Sequence, residues 1–217
     1  MKCAIHQATY LPSLHLFHKM AQVDKFVILD DCNISKSNHY YNKNRIKTPQ
    51  GEQWLTVPIK SHTCNLQECE IANNKWKTHL KTIFYNYKKT PYFIDYFKYF
   101  EKIYKKDFKY LKDLNIELIL LLKNLFQIKT PIFFSSNLNI ISLKNKRNID
   151  IVKKLDCDHY LSGIGAKDYN NKEMFHKNNI ILEYQEFKYP IYNQIYGKFI
   201  PNLSAIDYLF NKKGWIC

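Results

Sequence analysis

The stretch that decides the fold is MKCAIHQATYLPSLHLFHKMAQVDKFVILDD, residues 1–31. It contains two short, unbroken apolar runs, at 3–5 and 26–29, and each run stops at polar side chains. Such runs are typical of strands that are buried on both faces of a parallel sheet. Between them, Pro12 precedes a helical pattern at about 13–22, which would provide the crossover between two parallel strands. We therefore predict a β-α-β unit here.

The same alternation returns after residue 130. Apolar runs at 131–134, 159–161 and 180–184 predict three more strands, and the segments 144–155 and 167–177 predict the helices between them. Alternating strands and helices indicate an α/β domain with a mainly parallel, doubly wound sheet.

The middle of the chain has a different pattern. Helical periodicity over 75–87, followed by two further helical stretches at 92–105 and 108–125, predicts a helical lobe at about 75–127. Trp54–Ile59 predicts another strand, and the polar segment 32–53 is interpreted as a loop with a turn at its end. A last helix is predicted over 204–212, with Ser204 as its cap. The prediction is one α/β domain over 1–217 with the helical lobe as an insertion.

Composition limits the classes of function. The net charge is +14, but 31 of the 33 basic residues are lysines spread along the whole chain, so we do not predict a nucleic-acid binder. No apolar stretch is long enough to span a membrane, and residues 1–31 do not resemble a signal peptide, so we expect a cytoplasmic protein. The six cysteines lack paired metal-binding spacing and are predicted to be reduced thiols, without a structural metal site.

Polar side chains follow the predicted strands at their carboxyl ends, where parallel sheets bind ligands. His6 is the candidate general acid or base, because its ordinary pKa is near neutrality. Asp30 or Asp31 would orient His6 or hold a divalent cation, and the backbone N–H groups of the loop at Ser162–Gly165 would meet an anion. The alternative is that His6 has a structural role and bonds Asp30 or Gln7. The candidate residues at these strand ends are His6, Gln7, Asp30, Asp31, Ser135, Ser136, Ser162, Gly163 and Gln185.

Three further candidates lie outside the strand ends. Asn42 and Arg45 are in the polar segment, and Arg45 is one of only two arginines, so it suits a bidentate contact that lysine cannot make. His79 lies beside the apolar stripe of the first lobe helix. The alternatives are a solvated loop for Asn42 and Arg45 and a core histidine for His79.

Two resemblances add to this interpretation. Leu14-His15-Leu16-Phe17-His18 resembles the His-x-Gly-His element of nucleotidyltransferases, although His15 and His18 also fit an ordinary helix surface. That resemblance implies a nucleotidyltransferase/Rossmann-like three-layer sandwich and a reaction in which ATP activates a carboxylate.

The second resemblance is to the WbqC-like family and covers nearly the whole chain. It rests on Ile5–Pro12, Phe17-His18-Lys19, Asp24–Val27 leading to Asp30-Asp31, Asn44-Arg45 with Trp54–Pro58, Trp76 with His79 and Tyr87, Tyr160–Gly163 with Tyr169, and Gln185. It implies a place in bacterial O-antigen or capsular polysaccharide biosynthesis. It also adds Tyr10, Trp76 and Tyr169 to the candidate substrate-binding residues.

Two hypotheses follow. The first is a transferase that forms an amide between an acyl or aminoacyl, glycine-like donor and a nucleotide-linked amino sugar. His6 would act as the base, and the donor would be activated by ATP or bound as a thioester to an acidic acyl carrier protein. The second is a non-catalytic or nucleotide-dependent protein that binds a nucleotide sugar or glycan in the same pathway.

Overall fold

The computed structural model describes residues 1–34 and 40–214 of the chain. The chain divides into two compact units. The first unit comprises 1–7, 15–31 and 128–188, and the second comprises 8–14, 32–127 and 189–217. The helices and strands, in chain order, are β1 (Lys2–Gln7), α1 (Leu14–Ala21), β2 (Lys25–Leu29), β3 (Lys43–Thr48), β4 (Gly51–Thr56), α2 (Thr78–Tyr87), α3 (Phe93–Tyr104), α4 (Leu111–Leu125), β5 (Ile132–Phe134), α5 (Lys144–Lys154), β6 (His159–Ser162), α6 (Lys172–His176), β7 (Ile181–Tyr184) and α7 (Ala205–Asn211).

The first unit is built on a five-stranded sheet in the order β5-β2-β1-β6-β7, and every pair of neighbouring strands is parallel. The parallel sheet is thus confirmed. Because β1 lies in the middle, the chain adds strands on one side of it and then on the other. Gln7 is in register with Leu29 of β2, and Ala4 is in register with Leu161 of β6, so the carboxyl ends of these strands meet at one edge.

Alternating residues of β1 face opposite sides of the sheet. Cys3 and Ile5 belong to a buried apolar cluster with side chains of α5 and α6, namely Ile149, Ile151, Val152 and Phe175. His6 faces the other side, where α1 lies, because its ring centroid is 5.7 Å from that of His15. The sheet therefore has helices on both faces.

The second unit contains helices α2, α3 and α4 at the positions that the sequence predicted, and also α7, whose predicted cap Ser204 accepts a hydrogen bond from Ile206 N. Whether these helices form an insertion in one domain over 1–217 stays a prediction.

One element of the second unit was missed. β3 lies within the segment 32–53 that was predicted to be a loop, and it pairs with β4 as an antiparallel hairpin. β4 begins at Gly51 and ends at Thr56, so it overlaps the strand predicted at Trp54–Ile59 over residues 54–56. The buried side chains of β3 are largely polar, so no apolar alternation is visible. Asn44 donates to Leu11 O at 2.7 Å, and the buried Lys47 ammonium donates to Gln194 Oε1 at 3.0 Å.

The state of the cysteines and the length of the apolar segments were both predicted from composition. The five described cysteines are thiols, as predicted, and Cys217 lies outside the described residues. Within residues 1–34 and 40–214, no helix is long and apolar enough to cross a membrane.

Candidate functional site

His6 occupies the penultimate position of the central strand β1 and is half-buried. Its Nδ1 lies 2.9 Å from Gln7 O, and a bond to Gln7 is also the contact that the structural alternative for His6 predicted. Because a carbonyl only accepts hydrogen bonds, Nδ1 must carry the proton, which leaves the lone pair on Nε2. Burial, and then the nearby Lys19 and His15, hold the pKa of His6 well below its ordinary value of 6.5. The imidazole is therefore neutral at pH 7 and can accept a proton.

Lys19 of α1 lies near His6, and its role as a candidate site residue was not predicted from the sequence. Its side chain is buried, with 2% of its surface exposed, and Nζ donates to Ile5 O at 3.0 Å. Burial lowers the pKa of Lys19 from 10.5 to about 7. A signal was present in the sequence, because Lys19 lies three residues after the buried Leu16 and one before the buried Met20, on the apolar stripe of α1.

His15 and His18 are half-buried, so they are not exposed residues of an ordinary helix surface. Both belong to the same unit as His6. Burial and Lys19 lower the pKa of His15 to about 4, and burial lowers the pKa of His18. The predicted residue Gln185 connects the segment after β7 to α1, because its Nε2 donates to His15 O at 2.8 Å and to His18 Nδ1 at 3.0 Å.

Ser162 and Gly163 lie at the carboxyl end of β6. Ser162 is buried and its Oγ accepts a hydrogen bond from Asn170 at 3.0 Å. Gly163 has an extended backbone that any residue adopts, with φ −69° and ψ 148°, so conformation alone does not require a glycine. A Cβ atom added at Gly163 would lie 3.9 Å from Lys19 Nζ, an ordinary van der Waals distance, so this glycine lies directly beside the ammonium.

The loop after β6 differs from the prediction. The helix expected over 167–177 begins only at Lys172, where Asn171 caps it by accepting from Met174 N at 3.0 Å. A three-residue 3-10 turn, Ile164–Ala166, follows Gly163 instead. Asparagine is a strong N-cap residue, and the paired Asn170-Asn171 is the signal for the later start. Tyr169 lies between these elements, with 70% of its surface exposed.

Asp30 and Asp31 follow β2 and contact the end of β5. Asp30 Oδ1 accepts from Ser136 N at 3.0 Å and from Ser135 Oγ at 3.1 Å, and Oδ2 accepts from Ser136 Oγ at 2.7 Å. The single Ser135 hydroxyl proton is shared between Asp30 and Asp31, and Asp31 also forms an ion pair with Arg147 Nη2 at 2.5 Å. Asp30 thus joins two strand ends, and the described residues contain no group of three or more His, Cys, Asp or Glu side chains that could hold a metal ion.

A separate group of predicted residues lies in the second unit. Tyr10 Oη bonds His79 Nδ1 at 2.8 Å and also bonds Tyr104 Oη, while the Trp76 ring centroid is 5.3 Å from that of Tyr104. All four side chains are buried, and burial lowers the pKa of His79 to about 4. Within the described part of the chain, the buried Trp76 Nε1 has no hydrogen-bond partner.

Asn42 and Arg45, also in the second unit, are engaged in local contacts. The buried Asn42 side chain donates to Val57 O at 2.9 Å. Arg45 pairs with Glu52 at 2.8 Å, and its guanidinium carbon lies 5.4 Å from the ring centroid of Trp54. These contacts support the β3-β4 hairpin, and a role in substrate binding stays a prediction.

Comparison with known proteins gives two matches. A model of the WbqC-like protein family matches residues 7–214. The chain is 30% identical to the uncharacterized protein Rv1507c of Mycobacterium tuberculosis, over 97% of this chain and 93% of that protein. No solved structure matches the chain.

Proposed function

The chain belongs to the WbqC-like protein family, and we propose that it is a transferase. It forms an amide between an acyl or aminoacyl, glycine-like donor and a nucleotide-linked amino sugar in the biosynthesis of bacterial surface polysaccharide. The proposal sets the reaction in the cytoplasm and the substrate at the carboxyl edge of the parallel sheet. The observation that carries it is the neutral His6 at the end of the central strand, with its lone pair on Nε2.

The arrangement of the sheet supports this location for the substrate. In the order β5-β2-β1-β6-β7, the direction in which strands are added reverses between β1 and β6. In open parallel sheets, ligands bind beyond the carboxyl ends of the strands at such a reversal. His6 and Gln7 end β1, and Ser162 ends β6. We therefore extend the proposal to a Rossmann-like arrangement of the nucleotidyltransferase kind.

The chemistry requires removal of a proton from the amine. The sugar amine attacks the donor carbonyl, and the nitrogen of the tetrahedral adduct then carries a positive charge and an acidic proton. His6 Nε2 takes that proton, the bond to the leaving group breaks, and the imidazolium returns the proton to the departing group. A base fixed on a strand is held by the sheet, as proton transfer within about 3 Å requires. A lysine-rich surface suits an acidic carrier protein that presents the donor as a thioester, and the variant is a carboxylate activated by ATP.

One observation favours the second candidate, a binding protein for a nucleotide sugar or glycan. A catalytic histidine is often supported by a carboxylate, but the Asp30 carboxylate accepts three hydrogen bonds from Ser135 and Ser136. A binding protein needs no such support. The two candidates differ in the effect of His6→Ala, which abolishes turnover and leaves ligand affinity unchanged only in an enzyme.

The test of the proposed function is deletion of the gene, followed by mass spectrometry of the surface polysaccharide. The expected result is a repeating unit that lacks one acyl-sized mass increment, because the amino sugar is no longer acylated. A repeating unit with an unchanged mass would contradict the transferase. A polysaccharide that is lost completely would favour the binding protein.

A further inference from the structure

Lys19 is a buried cation for which the fold provides no anion. It has 2% of its surface exposed, and none of the ion pairs among the described residues includes it. Its hydrogen bond is to the carbonyl of Ile5, a neutral group. Buried lysines are normally paired, because an isolated ammonium is unfavourable in a medium of low polarity. The position thus has a charge without a counter-charge.

The groups identified near the Lys19 ammonium belong to three elements of the first unit. The nearby imidazoles are His6 on β1 and His15 on α1, and both are kept neutral in part by the Lys19 charge. The third neighbour is Gly163, after β6, where a Cβ atom would lie 3.9 Å from Nζ. An ammonium has three N–H donors, and the bond to Ile5 O uses one of them. Two N–H donors are therefore not used by that bond, on an ammonium that lies beside Gly163 at the carboxyl end of β6.

We propose that Lys19 Nζ binds an oxyanion of the substrate, a phosphate or a carboxylate, at the carboxyl ends of β1 and β6 beside Gly163. The proposal rests on the proposed function only in assigning the anion to the substrate, where it is the diphosphate of the nucleotide sugar or the carboxylate of the donor. Lysine binds phosphate as a compact point charge and needs no bidentate geometry. Because Lys19 also lies close to His6, a bound anion would place the substrate next to the base.

A different use of the same side chain predicts different mutant behaviour. A lysine whose amine is partly neutral at pH 7 can attack a carbonyl and form an imine. Arginine keeps the positive charge but cannot form an imine. Lys19→Arg therefore retains an oxyanion site and abolishes a nucleophile.

The experiment is isothermal titration calorimetry of the whole chain with inorganic pyrophosphate and, separately, with acetate. We expect the wild type to bind at least one of the two anions, Lys19→Met to bind it about tenfold to a hundredfold more weakly, and Lys19→Arg to retain most of the affinity. Pyrophosphate as the preferred anion would identify a phosphate ligand, and acetate would identify a carboxylate. The matched control is Lys25→Met, because Lys25 also donates to a backbone carbonyl, Leu155 O at 2.6 Å, but begins β2 at the opposite edge of the sheet. This control should bind as the wild type does.

Proton uptake gives a second readout. An anion at Lys19 restores its charged form, so that binding at pH 7 takes up about half a proton, seen as a dependence of the heat on the buffer. Lys19→Met should lose this uptake, and uptake that persists in the variant would assign it to the histidines and overturn the proposal. Absence of binding to the wild type, or equal affinity in wild type and Lys19→Met, would also overturn it. Circular dichroism establishes that the variants are folded. Because no donor or amino sugar is present, this experiment can fail while the transferase stands, and the reverse also holds.

Discussion

The replacement of Lys19 by methionine should stabilise the unliganded protein at neutral and acid pH. Folding lowers the pKa of this lysine from 10.5 to about 7. Between these two pH values the unfolded chain binds more protons than the folded one, so the free energy of unfolding rises with pH there. Below pH 7 the lysine is charged in both states, so the full cost of burying its charge opposes folding. At 1.36 kcal/mol per pKa unit this cost is about 5 kcal/mol. Methionine has a similar length and carries no charge, so the variant avoids the penalty.

The gain is partly offset by a lost hydrogen bond. Lys19→Met leaves Ile5 O without the donor at 3.0 Å, and an unsatisfied buried carbonyl costs about 1–3 kcal/mol. The net expectation is that Lys19→Met is more stable than the wild type by about 2–4 kcal/mol at about pH 6. The difference should shrink by about 3 kcal/mol at about pH 9, because the wild-type lysine is then largely neutral.

The assay is urea unfolding of both proteins at the two pH values, followed by circular dichroism. Comparison with the wild type at each pH removes the contributions of other titrating groups. Lys25→Met is the control, and it should lower the stability slightly, because it removes a half-buried lysine that bonds Leu155 O. A Lys19→Met variant that is less stable than the wild type at about pH 6 would refute the interpretation that Lys19 is a buried, unpaired charge. A difference in stability between the two proteins that does not change with pH would refute it as well.

Three other predictions concern the remaining polar groups. Asp30→Ala removes the acceptor of the Ser136 hydroxyl and of the Ser136 backbone N–H, whereas the Ser135 hydroxyl keeps Asp31 as an acceptor. The free energy of unfolding should therefore fall by about 2–4 kcal/mol in urea unfolding, and an unchanged value would contradict the role of Asp30 in joining β2 to β5. His79 is buried with a pKa of about 4, against 6.5 for the unfolded chain, so the free energy of unfolding should fall as the pH drops from about 6.5 to 4. His79→Gln should remove about 3 kcal/mol of that fall in acid unfolding curves. An equally steep fall in the variant would contradict the lowered pKa of His79. Binding of the chain to duplex DNA should be weak and should lose most of its affinity between about 50 and 200 mM salt in a fluorescence titration. A salt-resistant complex would contradict the interpretation that the lysines do not form a nucleic-acid-binding site.

The strands of the first unit were predictable because burial on both faces gives them unbroken apolar runs. Phe26–Leu29 and Tyr160-Leu161 are such runs, and both lie in the sheet. The hairpin strand β3 was not predictable in this way, because buried positions such as Asn44 and Lys47 are polar and find their hydrogen bonds elsewhere in the same unit. A polar side chain in the sequence carries no sign of the distant acceptor that allows its burial.

The positions of some candidate residues at the strand ends were predictable, whereas their hydrogen-bond partners were not. His6 and Gly163 follow from their positions at the ends of apolar runs. The hydrogen bonds of Asp30 and Gln185 go to residues far away in the sequence, which no local pattern reveals. In the structure, both side chains bond neighbouring elements of their own unit. Lys19 was missed because a charged residue is expected at the surface, although its place on the apolar stripe of α1 was visible.

Complementation of a deletion strain tests most directly whether His6 is the base of an acyl transfer to an amino sugar. The strain would carry the wild-type gene, His6→Gln, or the control His159→Gln, which changes a half-exposed histidine at the amino end of β6. The measurement is the mass of the polysaccharide repeating unit together with the rate at which the acyl increment appears. We predict that the wild type and His159→Gln restore the increment, and that His6→Gln, although folded, forms it about 10²- to 10⁴-fold more slowly. Full restoration by His6→Gln would contradict the catalytic assignment.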